Sequence, residues 1–284
     1  MTAGIGLDDP AADDRALFVP AGPPAPASAR VLPSDYGRGP WDHGLLHGGP
    51  VVGLAAWAAE RLVARSETGP LLCARLTVEL LRGVPADELE VAATVAKAGR
   101  RATVVDVTVH HDAKLIARAT SQWLARSDGW DSDGPPAPAR PEVAAVPDDG
   151  DFDYPRPGFN CDAAELRYVT GSNEESGPGV IWARLTSPLL AGVTTSPFVA
   201  LATLADLAAA AGFERGPDDA AFINADITLQ LNRYPIGDWI ALDARNHRAR
   251  GSVAFNEAHV YDDRGGFGRI LQSLVEAPSA PGAA

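Results

Sequence analysis

The 284-residue chain holds 24 Lys and Arg against 37 Asp and Glu, a formal net charge of −13. That balance argues against a general nucleic-acid or anionic-membrane binder, which needs a broadly basic surface, and leaves room only for local basic spots. Two distant cysteines, Cys73 and Cys161, give neither a disulfide scaffold nor a cysteine zinc site. The acidic start MTAGIGLDDPAADD reads as no signal peptide. The apolar stretch 185–213 is too interrupted by Asp206, Pro188 and Pro197 for a membrane helix, so a soluble cytoplasmic chain is expected.

After a loose first dozen residues, a Gly-rich segment leads into the apolar helix GPVVGLAAWAAERLVA, with Pro50 placed where a first helical turn tolerates it. Four alternating segments follow: LCARLTVELLRGVP, DELEVAATVAKAGRR, ATVVDVTVHHD and KLIARATSQWLAR. Residues 129–150, GWDSDGPPAPARPEVAAVPDDG, keep no period and read as a linker. In the second half, Ser196 is a good N-cap for one helix, SPFVALATLADLAAAAG, stopped at Gly212. Both helices are apolar almost all round and are expected to be buried. Strands then run through FINADITLQLNRYP, DWIALDARNHRARG, SVAFNEAHVYDDRG and GRILQSLVEA, the last two joined by a turn at Asp262, Asp263, Arg264 and Gly265. Alternation puts Ile227, Leu229 and Leu231 on one face, and Asn224, Asp226, Thr228 and Gln230 on the other. Residues 278–284 form a loose tail.

The halves resemble each other. LTVELLRGVP lies over ITLQLNRYPI and ATSQWL over GRILQSL, and each half reads strand, strand, helix, four strands. A long antiparallel sheet wrapped around one buried helix, twice in tandem, is an α+β double hot-dog. The expected units are 13–128 and 156–277, with 129–155 linking them. Pairing the units would cover sheet edges that each leaves open, and further homo-oligomeric pairing is expected for the same reason.

HGGPVVGLAAWAAERL in the first half, with LADL, NADITLQLNR and ARGSVAFNEAHVYDDRG…RILQS in the second, resembles the type II acyl-CoA thioesterases, which are double hot-dog proteins. The resemblance covers roughly residues 30–128 and 156–277. It implies an acyl-CoA or acyl-carrier thioester substrate, no cofactor, and a site in the second unit made of a helix Asp, a strand Thr or Ser and a Gln on the last strand. By position these fall on Asp206, Asn224 and Gln272; Asn224 departs from the pattern and cannot be a hydroxyl nucleophile. In the first unit Ala59 stands where Asp206 would.

The residues themselves bear on this. Asp206 is the only charged residue between Arg184 and Glu214. Either it lies on a narrow exposed stripe or it is a buried general base. Gln272 sits among apolar neighbours and either orients a water or bonds the backbone. Asn224 shares its parity with a polar set, so solvent exposure is one reading, and Asp226 is a substitute partner. Gly48 and Gly49, or the 192–196 stretch, would let backbone N–H groups at a helix start approach a thioester carbonyl, although glycine there also serves packing. Arg245, His247, Arg248 and Arg250 cluster near one turn, and Arg100 and Arg101 near its counterpart; Arg248 and Arg250 are candidates for coenzyme A phosphates. His43 and His47 have HxxxH spacing without a third ligand, so no metal is expected. Asp42 and His47 show the Asp-x4-His spacing of hydratase-type hot-dog proteins. No GxSxG, GxxxxGK or GxGxxG is present. The expected reaction is thioester hydrolysis by water activated at Asp206 with Asn224 and Gln272, the acyl chain running past Phe198, Leu201 and Trp57. A non-catalytic acyl-CoA binder and an enoyl-CoA hydratase are the alternatives.

Overall fold

The alternating segments form strands and the alanine-rich stretches form helices, in the order the repeat implies. The structure is a computed structural model that describes residues 14–40, 42, 44–65, 70–126, 133–142, 156–171, 177–212, 222–248 and 251–276. The first half contains β1 (Phe18–Pro20), β2 (Ser28–Pro33), α1 (Gly48–Val63), β3 (Leu71–Leu80), β4 (Leu89–Lys97), β5 (Ala102–His111) and β6 (Lys114–Ala125). The second contains β7 (Ala164–Thr170), β8 (Gly179–Leu185), α2 (Pro197–Leu204), α3 (Leu207–Ala211), β9 (Phe222–Leu231), β10 (Trp239–Arg248), β11 (Val253–Asp262) and β12 (Gly265–Glu276).

All twelve strands share one antiparallel sheet, in the order β1-β2-β4-β5-β6-β3-β9-β12-β11-β10-β8-β7. The order of one half mirrors that of the other, and the halves meet where β3 pairs with β9. There Thr77 lies opposite Thr228, with Leu76 opposite Leu229 and Val78 opposite Ile227. Each half thus places its helical stretch against its own sheet, the tandem hot-dog arrangement, and the central join leaves neither β3 nor β9 as an edge.

Twelve of the sixteen residues of α1 are buried, so the helix presents apolar surface on nearly every side. It crosses α2 closely because two of its glycines lack side chains. A Cβ on Gly53 would stand 2.1 Å from Thr203 Oγ1, and one on Gly49 would stand 2.4 Å from the Thr203 carbonyl oxygen. The expectation of a single second helix is corrected. It breaks at Ala205 and Asp206, where the Ala205, Ala208 and Ala209 N–H groups bond carbonyls three residues back. Such bonds tighten a helical turn, and they occur where Asp206 is tied sideways to other elements.

Residues 133–142, within the expected linker, lie on the outer face of the second half. Pro135 O accepts from Gly266 N at 2.8 Å, Pro138 O accepts from Trp182 Nε1 at 3.2 Å, and the Arg140 guanidinium lies over the Trp182 and Trp239 rings. Among the described residues no helix is long and apolar enough to cross a membrane.

Candidate active site

The start of α1 and the break between α2 and α3 meet at Asp206, which is 8% exposed. The buried reading of this carboxylate therefore holds, and the exposed stripe does not. Asp206 Oδ2 accepts from Gly49 N at 3.0 Å and faces His47 Nδ1 at 2.8 Å, while Oδ1 accepts from Asn224 Nδ2. A ring nitrogen this close to a carboxylate oxygen carries the hydrogen, so His47 Nδ1 donates. It then cannot also accept the Gly49 N–H that lies 3.1 Å from it, and that N–H belongs to the carboxylate. Burial by itself pushes the Asp206 carboxyl up. The charge His47 carries when protonated, its hydrogen bond, and the Asn224 and Gly49 donors outweigh burial and hold the carboxyl below its ordinary range.

Asn224 reaches this site through a β-bulge. Between β12 and β9, Ser273 pairs with Asp226 but Leu274 pairs with Asn224, leaving Ala225 unpaired. One extra residue flips the parity of everything before it, so Asn224 turns inward although its alternation with Thr228 puts it outward. The suggestion that Asp226 could take its place is corrected. Asp226 lies on the opposite face, where its carboxylate accepts from Ser273 N at 3.0 Å and Thr228 Oγ1 at 3.4 Å.

Gln272 is 1% exposed and donates from Nε2 to the Asp206 carbonyl at 3.5 Å. Its Oε1, like Asn224 Oδ1, is buried with no partner among the described residues. Both amides are oriented by acceptor-only groups, a carboxylate and a carbonyl, so each turns its NH₂ to Asp206 and leaves its oxygen free. Buried acceptors of this kind are uncommon and mark where a donor belongs. Phe159, fully buried, stacks tilted on His47 at 4.7 Å, and Leu80 lies beside Gly48.

Other expected residues fall elsewhere. The absence of a side chain at Gly48 lets Asp206 approach, since a Cβ there would stand 2.7 Å from Oδ2; the packing reading of the glycine pair is thus part of the site itself. Arg248 lies over the Phe222 ring at 4.4 Å, Arg245 is exposed, and His247 Nε2 pairs with Glu257 at 3.0 Å. Arg250 and His43 lie outside the described residues. Asp42 is exposed and accepts from Gly44 N at 2.8 Å, while His47 is committed to Asp206, so the Asp42–His47 spacing forms no pair. Phe198 packs between Trp123 and Tyr234, Trp57 lies under Arg61, and both, with Leu201, belong to the buried core. His47 is the site residue that sequence reasoning missed, having noted it only for its spacings to His43 and Asp42. Its position just before the Gly-Gly-Pro start of α1, where Ser196 caps α2, was the available signal.

Residues 37–123 match the family model of the acyl-CoA thioesterase N-terminal domain, and residues 131–275 that of the C-terminal domain. No curated protein matches the sequence. Among solved structures, the acyl-CoA thioesterase II TesB2 of Mycobacterium marinum is 16% identical, with 95% of this chain and 98% of that one covered at a TM-score of 0.66. The tesB protein of Mycobacterium avium subspecies paratuberculosis is 15% identical, covering 90% and 96%, at 0.65. A hot dog fold protein of unknown function from Alicyclobacillus acidocaldarius is 16% identical, covering 95% and 99%, at 0.67. At these identities the structures establish the shared fold.

Proposed function

We propose, for a chain that belongs to the acyl-CoA thioesterase family and is a thioester hydrolase, that Asp206 is the general base that activates water against an acyl-CoA. The observation that carries this reading is a buried carboxylate held by three donors and flanked by two carboxamide oxygens that have no partner among the described residues. Three donors occupy Asp206 and leave it room to accept one more hydrogen. A water that gives one hydrogen to Asp206 and the other to Gln272 Oε1 or Asn224 Oδ1 keeps a lone pair free for the thioester carbon.

As the water oxygen bonds to that carbon, its proton passes to Asp206. The carbonyl oxygen becomes an oxyanion, held by an N–H at the start of α1. Gly49 N–H is already given to Asp206, so the Gly48 N–H is the donor assigned here. Collapse of the intermediate breaks the carbon–sulfur bond, the thiolate leaves and recovers the proton from Asp206, and the carboxylic acid formed gives its remaining proton to solvent, leaving a carboxylate and a free thiol. Asn224 contributes no nucleophile; it orients Asp206 and binds water, which a carboxamide does as well as a hydroxyl.

The test is thiol release from a series of acyl-CoA thioesters by wild type and Asp206→Asn. Loss of a positioned general base lowers kcat by about 10²–10⁴-fold. Undiminished turnover by a folded Asp206→Asn protein removes Asp206 from the mechanism. Acyl-CoA binding without thiol release on any member of the series supports the non-catalytic reading instead.

A further inference from the structure

The outer face of the sheet carries a groove of about 430 Å³ where β9, β12 and β11 run out beneath the linker segment. Gln230 and Asn232 line it from β9 and its exit, Arg269 from β12, His259 and Tyr261 from β11, and Pro135 from the linker. Pro135 comes down onto the strand because Gly266 has no side chain: a Cβ there would stand 3.2 Å from the proline ring. Leu231, Val260 and Phe267 adjoin the groove but are almost fully buried, so the side chains it presents are mostly polar. The groove is separate from the Asp206 site. Gln230 turns to the opposite face from Asn224 and lies six residues further along β9, roughly 20 Å at the rise of a strand.

The matching positions of the first half are filled differently. By register Gln230 corresponds to Glu79 and Arg269 to Arg118, and Glu79 and Arg118 form an ion pair. His259 corresponds to Thr108, Asn232 to Leu81 and Gly266 to Leu115. The second half thus keeps the arginine and replaces its carboxylate with a neutral amide. On the other side of Gln230 lies Arg75 of β3. Both arginines are exposed, and neither has an ion pair among the described residues. Other strand arginines do: Arg30 pairs with Glu88, and Arg184 with Glu165. Of the acids nearby, Glu257 is given to His247, and Asp243 lies two strands from Arg269, beyond His259. Two uncompensated guanidinium groups therefore flank one amide, on a chain whose net charge is −13.

We infer that this groove is a binding site for a phosphate monoester with a polar body, a nucleotide or a sugar phosphate. A phosphate monoester is close to a dianion at neutral pH and matches the charge of Arg269 and Arg75 together, where a carboxylate answers only one of them. At about 4.8 Å per strand the two Cα atoms are roughly 10 Å apart, a span that two arginine side chains can close. The Gln230 and Asn232 amides and the His259 ring serve the hydroxyls or ring nitrogens of the body. The volume lies within the range of small-molecule pockets, about 300–1,000 Å³.

The experiment is calorimetric titration of the full chain at low salt with AMP, ribose 5-phosphate, inorganic phosphate and uncharged adenosine, for wild type, Gln230→Glu and Arg269→Gln. Wild type binds at least one of the two esters about tenfold or more tightly than inorganic phosphate or adenosine, and the tighter ester identifies the body. Gln230→Glu restores the pairing that Glu79 and Arg118 show the fold accepts. It weakens binding of that ester about tenfold or more, the worth of a charged hydrogen bond, and Arg269→Gln does the same. Absence of binding by both esters overturns the inference, as does an ester held no more tightly than inorganic phosphate. Affinity that is unchanged in folded Gln230→Glu and Arg269→Gln proteins places the ligand elsewhere and overturns it as well. Thiol release, measured separately, tests only the Asp206 reading, because neither substitution touches that site.

Discussion

The two halves of this protein each place a carboxylate against the start of the other half's helix, and they treat it in opposite ways. His47, at the N-cap position of α1, donates to Asp206; Ser196 caps α2 and donates to Glu60 at 2.6 Å. Asp206 has three donors and is held below its ordinary range, whereas burial of Glu60, only partly offset by Ser196, pushes it above. Three further positions around them differ in the same sense. Asn224 corresponds to Cys73, which an equivalent bulge turns inward and buries; Gln272 corresponds to Ser121, and Asn256 to Val105. The scaffold makes two similar junctions, but only one is supplied with the donors that keep a buried carboxylate ionised and with unused acceptors beside it.

The comparison breaks most sharply at Gly48. Gly48→Ala would set a methyl group against Asp206 Oδ2, and displacing the base by about 1 Å costs about 10²-fold in kcat/KM. Gly53→Ala instead drives a methyl into Thr203, and differential scanning calorimetry should show about 1–3 kcal/mol of lost stability.

Removing His47 tests what holds Asp206 down. With its largest stabilising partner gone, the Asp206 carboxyl rises, so the acid limb of the pH–rate profile moves to higher pH in His47→Ala. An acid limb that stays in place means that the Asn224 and Gly49 donors suffice.

The smallest expected effect is at Glu60. A carboxyl raised on folding contributes stability that is present below its unfolded value, near pH 4.3, and is lost as pH climbs through the folded value. Glu60→Gln should therefore melt higher than wild type near pH 8, with the gain fading toward pH 4, and thermal melts across that range read it directly. Asp206 has the opposite linkage: its contribution is present above the unfolded value and lost as pH falls through the folded one.

The order of strands and helices was legible because a half-buried strand must alternate and a buried helix must be apolar all round. The isolation of Asp206 in such a helix was legible for the same reason: a charge there is costly unless the fold supplies partners. Asn224 was placed beside Asp206 only by the family resemblance; alternation along β9 turned it outward, because it assumes an unbroken ladder and the bulge at Ala225 inserts a residue. The break at Ala205 and Asp206 was equally hidden, since nothing in LATLADLAAAAG disfavours a continuous helix.

By itself, then, the sequence determined the duplicated architecture, the family and the two side chains, Asp206 and Gln272, whose burial makes them chemically expensive. Only the tertiary structure decided that His47 and Gly49 from one half complete the surroundings of Asp206 in the other. Local pattern fixes which face of an element is buried. Which buried groups meet depends on strand register and helix crossing, contacts between residues as far apart as 157 positions, as for Gly49 and Asp206.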